Sequence, residues 1–143
     1  QRRPIVKAVF LDTGAFFAHV VEEDTFHARA VALFAEGIRE RWWFYTTSAA
    51  VYETYTLLTR RIRGERGRLL GLEVIDTINS GFCEVVRVTS QDEAQAVSIL
   101  RGAEDKSFSY FDALSFVVME HLGIREAIAF DDDFKQYGRF TIL

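Results

Sequence analysis

Two periods of apolar residues alternate along this 143-residue chain. Short consecutive apolar runs, as found in strands buried on both faces, are separated by stretches where apolar residues recur every three or four positions. Residues 5–12, IVKAVFLD, predict a first strand. A short helix is expected over about 14–21 and a second over roughly 24–37, with Asp24 or Thr25 as its cap. Residues 42–47 predict the second strand and 48–63 a helix. RGRLLGLEVIDTINSG then sets Leu69, Leu72, Ile75 and Ile78 at helical spacing before Gly81. CEVVRV is the third predicted strand, followed by the helix SQDEAQAVSILRG, capped by Ser90 with Glu93 completing a capping box. The helix over 110–122 is apolar nearly all round and is expected to be buried. EAIAFD reads as a fourth strand and RFTIL as a short fifth at the edge. Strands alternating with helices indicate the α/β class and a mainly parallel sheet of about five strands.

That topology has a consequence for four acids. Right-handed crossovers place every parallel strand's carboxyl end, and every following helix's N-terminus, on one edge of the sheet. Asp12 ends the first strand and Asp131 the fourth, while Asp112 and Glu53 lie in the first turns of helices. All four are therefore expected at the edge where open α/β sheets bind ligands. Gathered carboxylates repel one another unless a cation stands between them, and Mg²⁺ or Mn²⁺ suits an all-oxygen set. Asp12 and Asp131 are expected to ligate the metal directly, Asp112 to share a metal or hold its waters, and Glu53 to orient or deprotonate an attacking water.

The 49% hydrophobic and 27% charged composition suits one globular domain spanning 1–143. No apolar run is long enough to cross a bilayer, and the basic N-terminal stretch, broken by Lys7 and closed by Asp12, reads as a strand rather than a leader. Cys83 is the only cysteine, which excludes an internal disulfide and a thiolate metal site and fits a reducing, cytoplasmic setting. A net charge of −4 argues against a general nucleic-acid binder but is compatible with basic patches beside an acidic site. There is no G-x-S-x-G elbow and no phosphate-cradling G-x-x-x-x-G-K.

Each acid also has a plainer reading. Asp12, in FLDTGAFF, could cap the following helix; an aspartic protease is disfavoured by the helical content, and a haloacid dehalogenase by Gly14 where it would place a second Asp. Asp112 completes a capping box with Ser109. Asp131 opens the triplet Asp131-Asp132-Asp133, which suits an exposed turn. Glu53 is the least ambiguous, because Ala49, Ala50 and Leu57 put it on a small, apolar helix face. Asp105 is a further candidate near the site. RRIRGERGR, with Arg60, Arg61, Arg63, Arg66 and Arg68, is either a solvated helix end or a set of RNA phosphate contacts. Trp42, Trp43 and Tyr55 suit core packing or base stacking, and His19, His27 and His121 lack metal-ligand spacing.

Taken in order, Asp12-Thr13, Glu53 in TTSAAVYETYTLL, Asp112 in SYFDALSF and Asp131 in AFDDDF resemble the four acidic motifs of the PIN-domain nucleases. Thr47, Ser109, Gly123 and Phe134 match the flanks, and the resemblance runs over 5–143, nearest to the stand-alone VapC-type toxins. It implies a three-layer α/β/α sandwich. The implied activity is a Mg²⁺- or Mn²⁺-dependent endoribonuclease, with Thr13, Ser109, Asp105 and Asp133 supporting the acids. It further implies cleavage to a 5′-phosphate and 3′-hydroxyl, a homodimer, and a cognate antitoxin that blocks the cleft. Two departures stand out: many members carry Ser where this chain has Gly14, and Thr or Ser where it has Ala129. Alternatives are a non-catalytic PIN-like binding module and a DNA nuclease related to flap endonucleases.

Overall fold

Asp12 owes its position to a central strand with two parallel neighbours. In the computed structural model, which describes residues 7–143, β1 spans Ala8–Leu11 and pairs on one side with β2 (Trp43–Thr47) and on the other with β4 (Glu126–Ile128). β3 (Glu84–Val86) extends the sheet beyond β2, and β5 (Thr141–Ile142) beyond β4. The order is β3-β2-β1-β4-β5, and all four pairings are parallel. Strand order reverses at β1, so the crevice beyond its carboxyl end is the topological switch point. The first two residues of the predicted first strand, 5 and 6, lie outside the described residues.

Alternation along the strands explains the layers. Val9, Leu11, Phe44 and Ile128 point to one face and pack against α1 (Thr13–Val20), α2 (His27–Glu40), α3 (Ser48–Arg61) and α4 (Glu65–Thr77). Phe10, Ala127 and Ala129 point to the other face, under α6 (Tyr110–Leu122) and α7 (Asp133–Tyr137), with α5 (Ser90–Gly102) packed against α6. This is a three-layer α/β/α sandwich. As expected, α6 is buried from Asp112 to Met119. Among the described residues no helix is long and apolar enough to cross a membrane.

Several expected boundaries move, for local reasons. Asp24 does not cap α2; its carboxylate accepts the Phe26 N–H at 2.9 Å, an Asx turn that delays the helix to His27. α5 is capped by Thr89, not Ser90. Thr89 Oγ1 accepts the Asp92 N–H at 3.1 Å, and Asp92 Oδ2 accepts the Thr89 N–H at 3.0 Å. Both T-x-x-D and S-x-x-E occur in TSQDE, and the earlier box lengthens the helix by one residue. β4 ends at Ile128 rather than Asp131, because β1 turns into α1 at Asp12 and leaves β4 nothing to pair with beyond it. The segment 78–82 winds wider than an α-helix and ends through Gly81 at φ 97°.

Candidate active site

Four elements bring four acids to one cleft of about 400 Å³ at the carboxyl edge of the sheet. Asp12 stands at the junction of β1 and α1. Its backbone is extended (φ −80°, ψ 165°), its N–H donates to Ile128 O at 3.2 Å, and its carbonyl accepts from Ala15 N–H at 3.0 Å. Its carboxylate makes no capping hydrogen bond, so the plain reading of Asp12 as a cap does not account for it. The side chain is buried (5% exposed) and turned into the cleft.

Asp112 is both things the sequence allowed. Ser109 Oγ accepts the Asp112 N–H at 3.0 Å, and Asp112 Oδ2 accepts the Ser109 N–H at 2.9 Å, a complete capping box. The cap fixes the carboxylate rather than removing it from the cleft, because one oxygen remains. Asp131 lies three residues past β4 in an exposed turn, where Asp133 N–H donates to its Oδ1 at 3.0 Å. One carboxylate oxygen from each of Asp12, Asp112 and Asp131 lies within 4.8 Å of the others.

Glu53 sits six residues into α3, in its second turn rather than its first. Helical side chains tilt toward the N-terminus, and that tilt carries this carboxylate back to the cleft. Thr47 Oγ1 accepts the Ala50 N–H at 3.0 Å and starts the helix, while Thr46 Oγ1 donates to Leu11 O at 2.8 Å and ties the ends of β2 and β1. Thr13 Oγ1 donates to Glu53 Oε1 at 2.5 Å. Glu53 stands beside the three aspartates rather than among them.

The electrostatics record the crowding. Burial, then the charge of Asp131, pushes the Asp12 carboxyl up to about 7, only partly opposed by the nearby Thr13 and Gly14 N–H dipoles, which stand outside capping hydrogen-bond geometry. Burial first, then a hydrogen bond shared with Asp133, pushes Asp112 up to about 8. Asp131 and Glu53 are also raised, in both cases chiefly by burial. Three acids driven toward neutrality by burial and by neighbouring carboxylates fit a hard divalent cation, whose charge would oppose these shifts.

The other expected site residues divide. Thr13, Ser109 and Asp133 line the cleft. Asp105 does not; it is exposed and pairs with Lys106 at 3.3 Å. Of the five arginines, Arg61 reaches the cleft, its guanidinium 5.6 Å from the Phe17 ring centroid. Arg66 forms a two-pronged pair with Glu23, both bonds 2.7 Å, and Arg68 pairs with Glu65; Arg60 and Arg63 are exposed outside the cleft lining. Trp42, Trp43 and Tyr55 are likewise absent from the lining, Trp42 lying under Lys7 Nζ at 4.2 Å. The histidines serve packing or the surface: His19 stacks on Phe34, and His27 Nδ1 meets Ala18 O at 2.8 Å. Sequence reasoning missed Phe26 and Phe130, which line the cleft and stack on one another. Nothing in their spacing marks them, since their meeting depends on the turn at 24–26.

Gly14 leaves room for the serine expected at this position from the PIN-domain resemblance. A Cβ there would lie 3.9 Å from Asp12 Oδ2, an ordinary contact. Groups that hydrogen-bond metal ligands commonly change affinity by about tenfold or more. Gly14→Ser is therefore expected to tighten Mn²⁺ binding about tenfold, read as a lower Mn²⁺ concentration at half-maximal rise in melting temperature. Unchanged Mn²⁺ dependence would show that the hydroxyl plays no part here.

The PIN-domain family model matches residues 9–140. The chain is 33% identical over 131 residues to the 23S rRNA-specific endonuclease VapC20 of Mycobacterium tuberculosis, covering 91% of this chain and 94% of that protein. It is 29% identical over 129 residues to a VapC ribonuclease of Archaeoglobus fulgidus, covering 89% and 79%. The crystal structure of M. tuberculosis VapC20, described as a sarcin–ricin loop cleaving toxin, superposes with a TM-score of 0.84 at 30% identity, covering 94% of this chain and 98% of that one.

Proposed function

The chain belongs to the PIN-domain family, and from that premise we propose that it is a divalent-metal-dependent endoribonuclease, the toxin of a toxin–antitoxin pair. The observation that carries this reading is the convergence of Asp12, Asp112 and Asp131 within 4.8 Å, beside a Glu53 held by Thr13. The similarity to a 23S rRNA-specific endonuclease makes 23S rRNA the first substrate to test.

In this reading Asp12, Asp112 and Asp131 hold Mg²⁺ or Mn²⁺. A bound divalent ion supplies neutralisation of the phosphodiester charge and a lowered pKa for water. Glu53 takes the proton of the attacking water: burial raises its carboxyl toward neutrality, and the Thr13 bond pins Oε1, leaving Oε2 as acceptor. Ser109 and Asp133 fix the orientation of Asp112 and Asp131 through the bonds described above. Water attacks phosphorus, the P–O3′ bond breaks, and a proton goes to the 3′ oxygen, leaving 5′-phosphate and 3′-hydroxyl ends. Arg61 stands where a neighbouring phosphate would meet it. The relatives' VapC names support an antitoxin partner, and a homodimer and cytoplasmic location complete the proposal. Cys83, buried with its thiol pushed up to about 12 by that burial, suits such a reducing compartment.

One observation favours a second reading. The Asp112 capping box is what a non-catalytic module would retain for stability alone. Asp12 argues the other way, since its buried carboxylate caps nothing. Digestion of purified ribosomes, single-stranded RNA and single-stranded DNA, each with Mn²⁺ or with EDTA, separates the readings. The expected result is Mn²⁺-dependent cutting of RNA, blocked by EDTA, with DNA spared. Preference for DNA would place the protein with the flap-endonuclease-like enzymes, and no cutting of any substrate with Mn²⁺ would leave only the binding module.

A further inference from the structure

The cleft holds an aromatic surface that the metal chemistry does not use. Phe26 is 44% exposed, the ring lines the acidic cleft, and it lies flat on Phe130 with centroids 5.0 Å apart and planes 5° from parallel. Phe130 packs against the core on the α1–α4 side of the sheet, whereas Phe26 belongs to none of the buried clusters. One face of Phe26 is therefore backed by a fixed ring, and its exposure falls on the other face and the edge.

A lone exposed phenylalanine is ordinary. Here three further features need explaining together. The backbone that presents the ring is tied down. Asp24 Oδ2 accepts the Phe26 N–H at 2.9 Å, Asp24 N–H donates to Val21 O at 3.0 Å, His27 N–H donates to Asp24 O at 3.0 Å, and Phe26 O accepts the Ala30 N–H at 2.9 Å. The ring is thus pre-positioned, and little ordering is needed when something lands on it. Its support, Phe130, directly precedes Asp131, so the platform is one residue from the acid cluster. Finally, the same cleft carries a cation, Arg61. An aromatic face and a guanidinium around a carboxylate cluster match an unstacked nucleotide, whose base needs a π-surface and whose phosphates need charge.

We propose that Phe26, buttressed by Phe130, is the platform on which one base of the RNA stacks next to the scissile phosphate, making it a positioning residue for cleavage. This rests on the endoribonuclease reading above and adds to it where the substrate is held. An aromatic face accepts any base, so Phe26 sets the register of the strand relative to Asp12 and Asp131, and other groups choose the sequence.

The probes are a hairpin with the sarcin–ricin loop sequence and an unstructured oligoribonucleotide, each synthesised with 2-aminopurine at one position at a time. 2-Aminopurine fluorescence is quenched on stacking, and binding is measured on the full chain carrying Asp12→Asn, in which cleavage is expected to be too slow to consume the probe. Quenching is expected at one or two adjacent positions of at least one probe. Phe26→Ala should remove it and weaken binding about tenfold. Phe26→Leu, which keeps an apolar side chain against Phe130 and guards against misfolding, should fail in the same way, whereas Phe26→Trp should restore both quenching and affinity. In the chain with Asp12 intact, the Phe26→Ala loss should appear mainly in KM, unlike the kcat loss expected of Asp12→Asn. Equal affinity and quenching in the Ala, Leu and Trp variants would overturn the proposal and leave the ring as a contact for an apolar side chain of a protein partner. Cleavage by the unaltered chain with no position quenched would overturn it while leaving the nuclease reading intact. Absence of cleavage with quenching at one position would overturn the nuclease reading and the positioning role with it, leaving Phe26 a base-stacking surface alone.

Discussion

Asp12→Asn is expected to lower RNA cleavage by about a thousandfold, roughly 4 kcal/mol of transition-state stabilisation at about 1.4 kcal/mol per decade. The substitution is nearly isosteric, so the loss would not come from packing. Asp12 ends the central strand, caps nothing, and is buried where its charge is opposed by Asp131 and Glu53. Removing that charge relieves repulsion, and the metal-free variant should melt higher than the unaltered protein. Millimolar Mn²⁺ should raise the melting temperature of the unaltered protein, because a ligand of the folded state stabilises it. The variant should show little or no such rise. Higher intrinsic stability, a lost Mn²⁺ response and lost cleavage together identify a metal ligand. A variant that still responds to Mn²⁺ and still cuts RNA would remove Asp12 from that role.

The second large effect is on stability as a function of pH. Burial first, then the charge of Asp131, raises Asp12 from 3.8 to about 7; burial first, then the Asp133 hydrogen bond, raises Asp112 from 3.8 to about 8. Between about pH 4 and pH 8 the folded chain therefore binds more protons at these groups than the unfolded chain does. Stability changes with pH in proportion to protons bound unfolded minus folded, which is negative here, so metal-free stability falls as pH rises through this window. Whatever these acids contribute is present below about pH 4 and gone above about pH 8. The two groups repel each other, so their shifts overlap and are not summed. Asp112→Asn removes one of them while its amide oxygen still accepts the Ser109 N–H, preserving the cap. At pH 8 without metal this variant is expected to be more stable than the unaltered chain by on the order of 2 kcal/mol, or roughly 5 °C in melting temperature. At pH 5 the difference should shrink. Mn²⁺ should flatten the pH dependence of the unaltered protein, since it favours the ionised carboxylates. Melting curves from pH 5 to 8.5, with Mn²⁺ or EDTA, test this; stability of the unaltered protein that rises with pH in EDTA would contradict the crowded-acid picture.

Much of this was legible in one dimension because periodicity and topology are local or combinatorial properties. Apolar runs and helical spacing locate the elements. Parallel crossovers then require strand ends and helix N-termini to share an edge, which is why Asp12, Glu53, Asp112 and Asp131 could be expected in one cleft before any contact was seen. Errors of one to three residues, at the α2 and α5 starts and the end of β4, arose where two local patterns competed or where pairing ran out.

What the chain could not declare is how each acid spends its oxygens. Asp12 and Asp112 both occupy cap-like positions, yet only Asp112 makes the capping bonds. Asp105 and four of the five arginines had plausible neighbours in sequence but end up outside the cleft, while Arg61 reaches it from the last turn of α3. Phe26 and Phe130 meet across 104 positions of sequence because an Asx turn and the end of β4 aim them at each other. By itself, then, the order of residues determined the elements, the sheet edge and the four acids brought to it. The tertiary structure alone decided which side chains converge and which are consumed by local bonds, since distances of a few ångströms depend on the packing of all the elements at once, and no short stretch of chain contains that information.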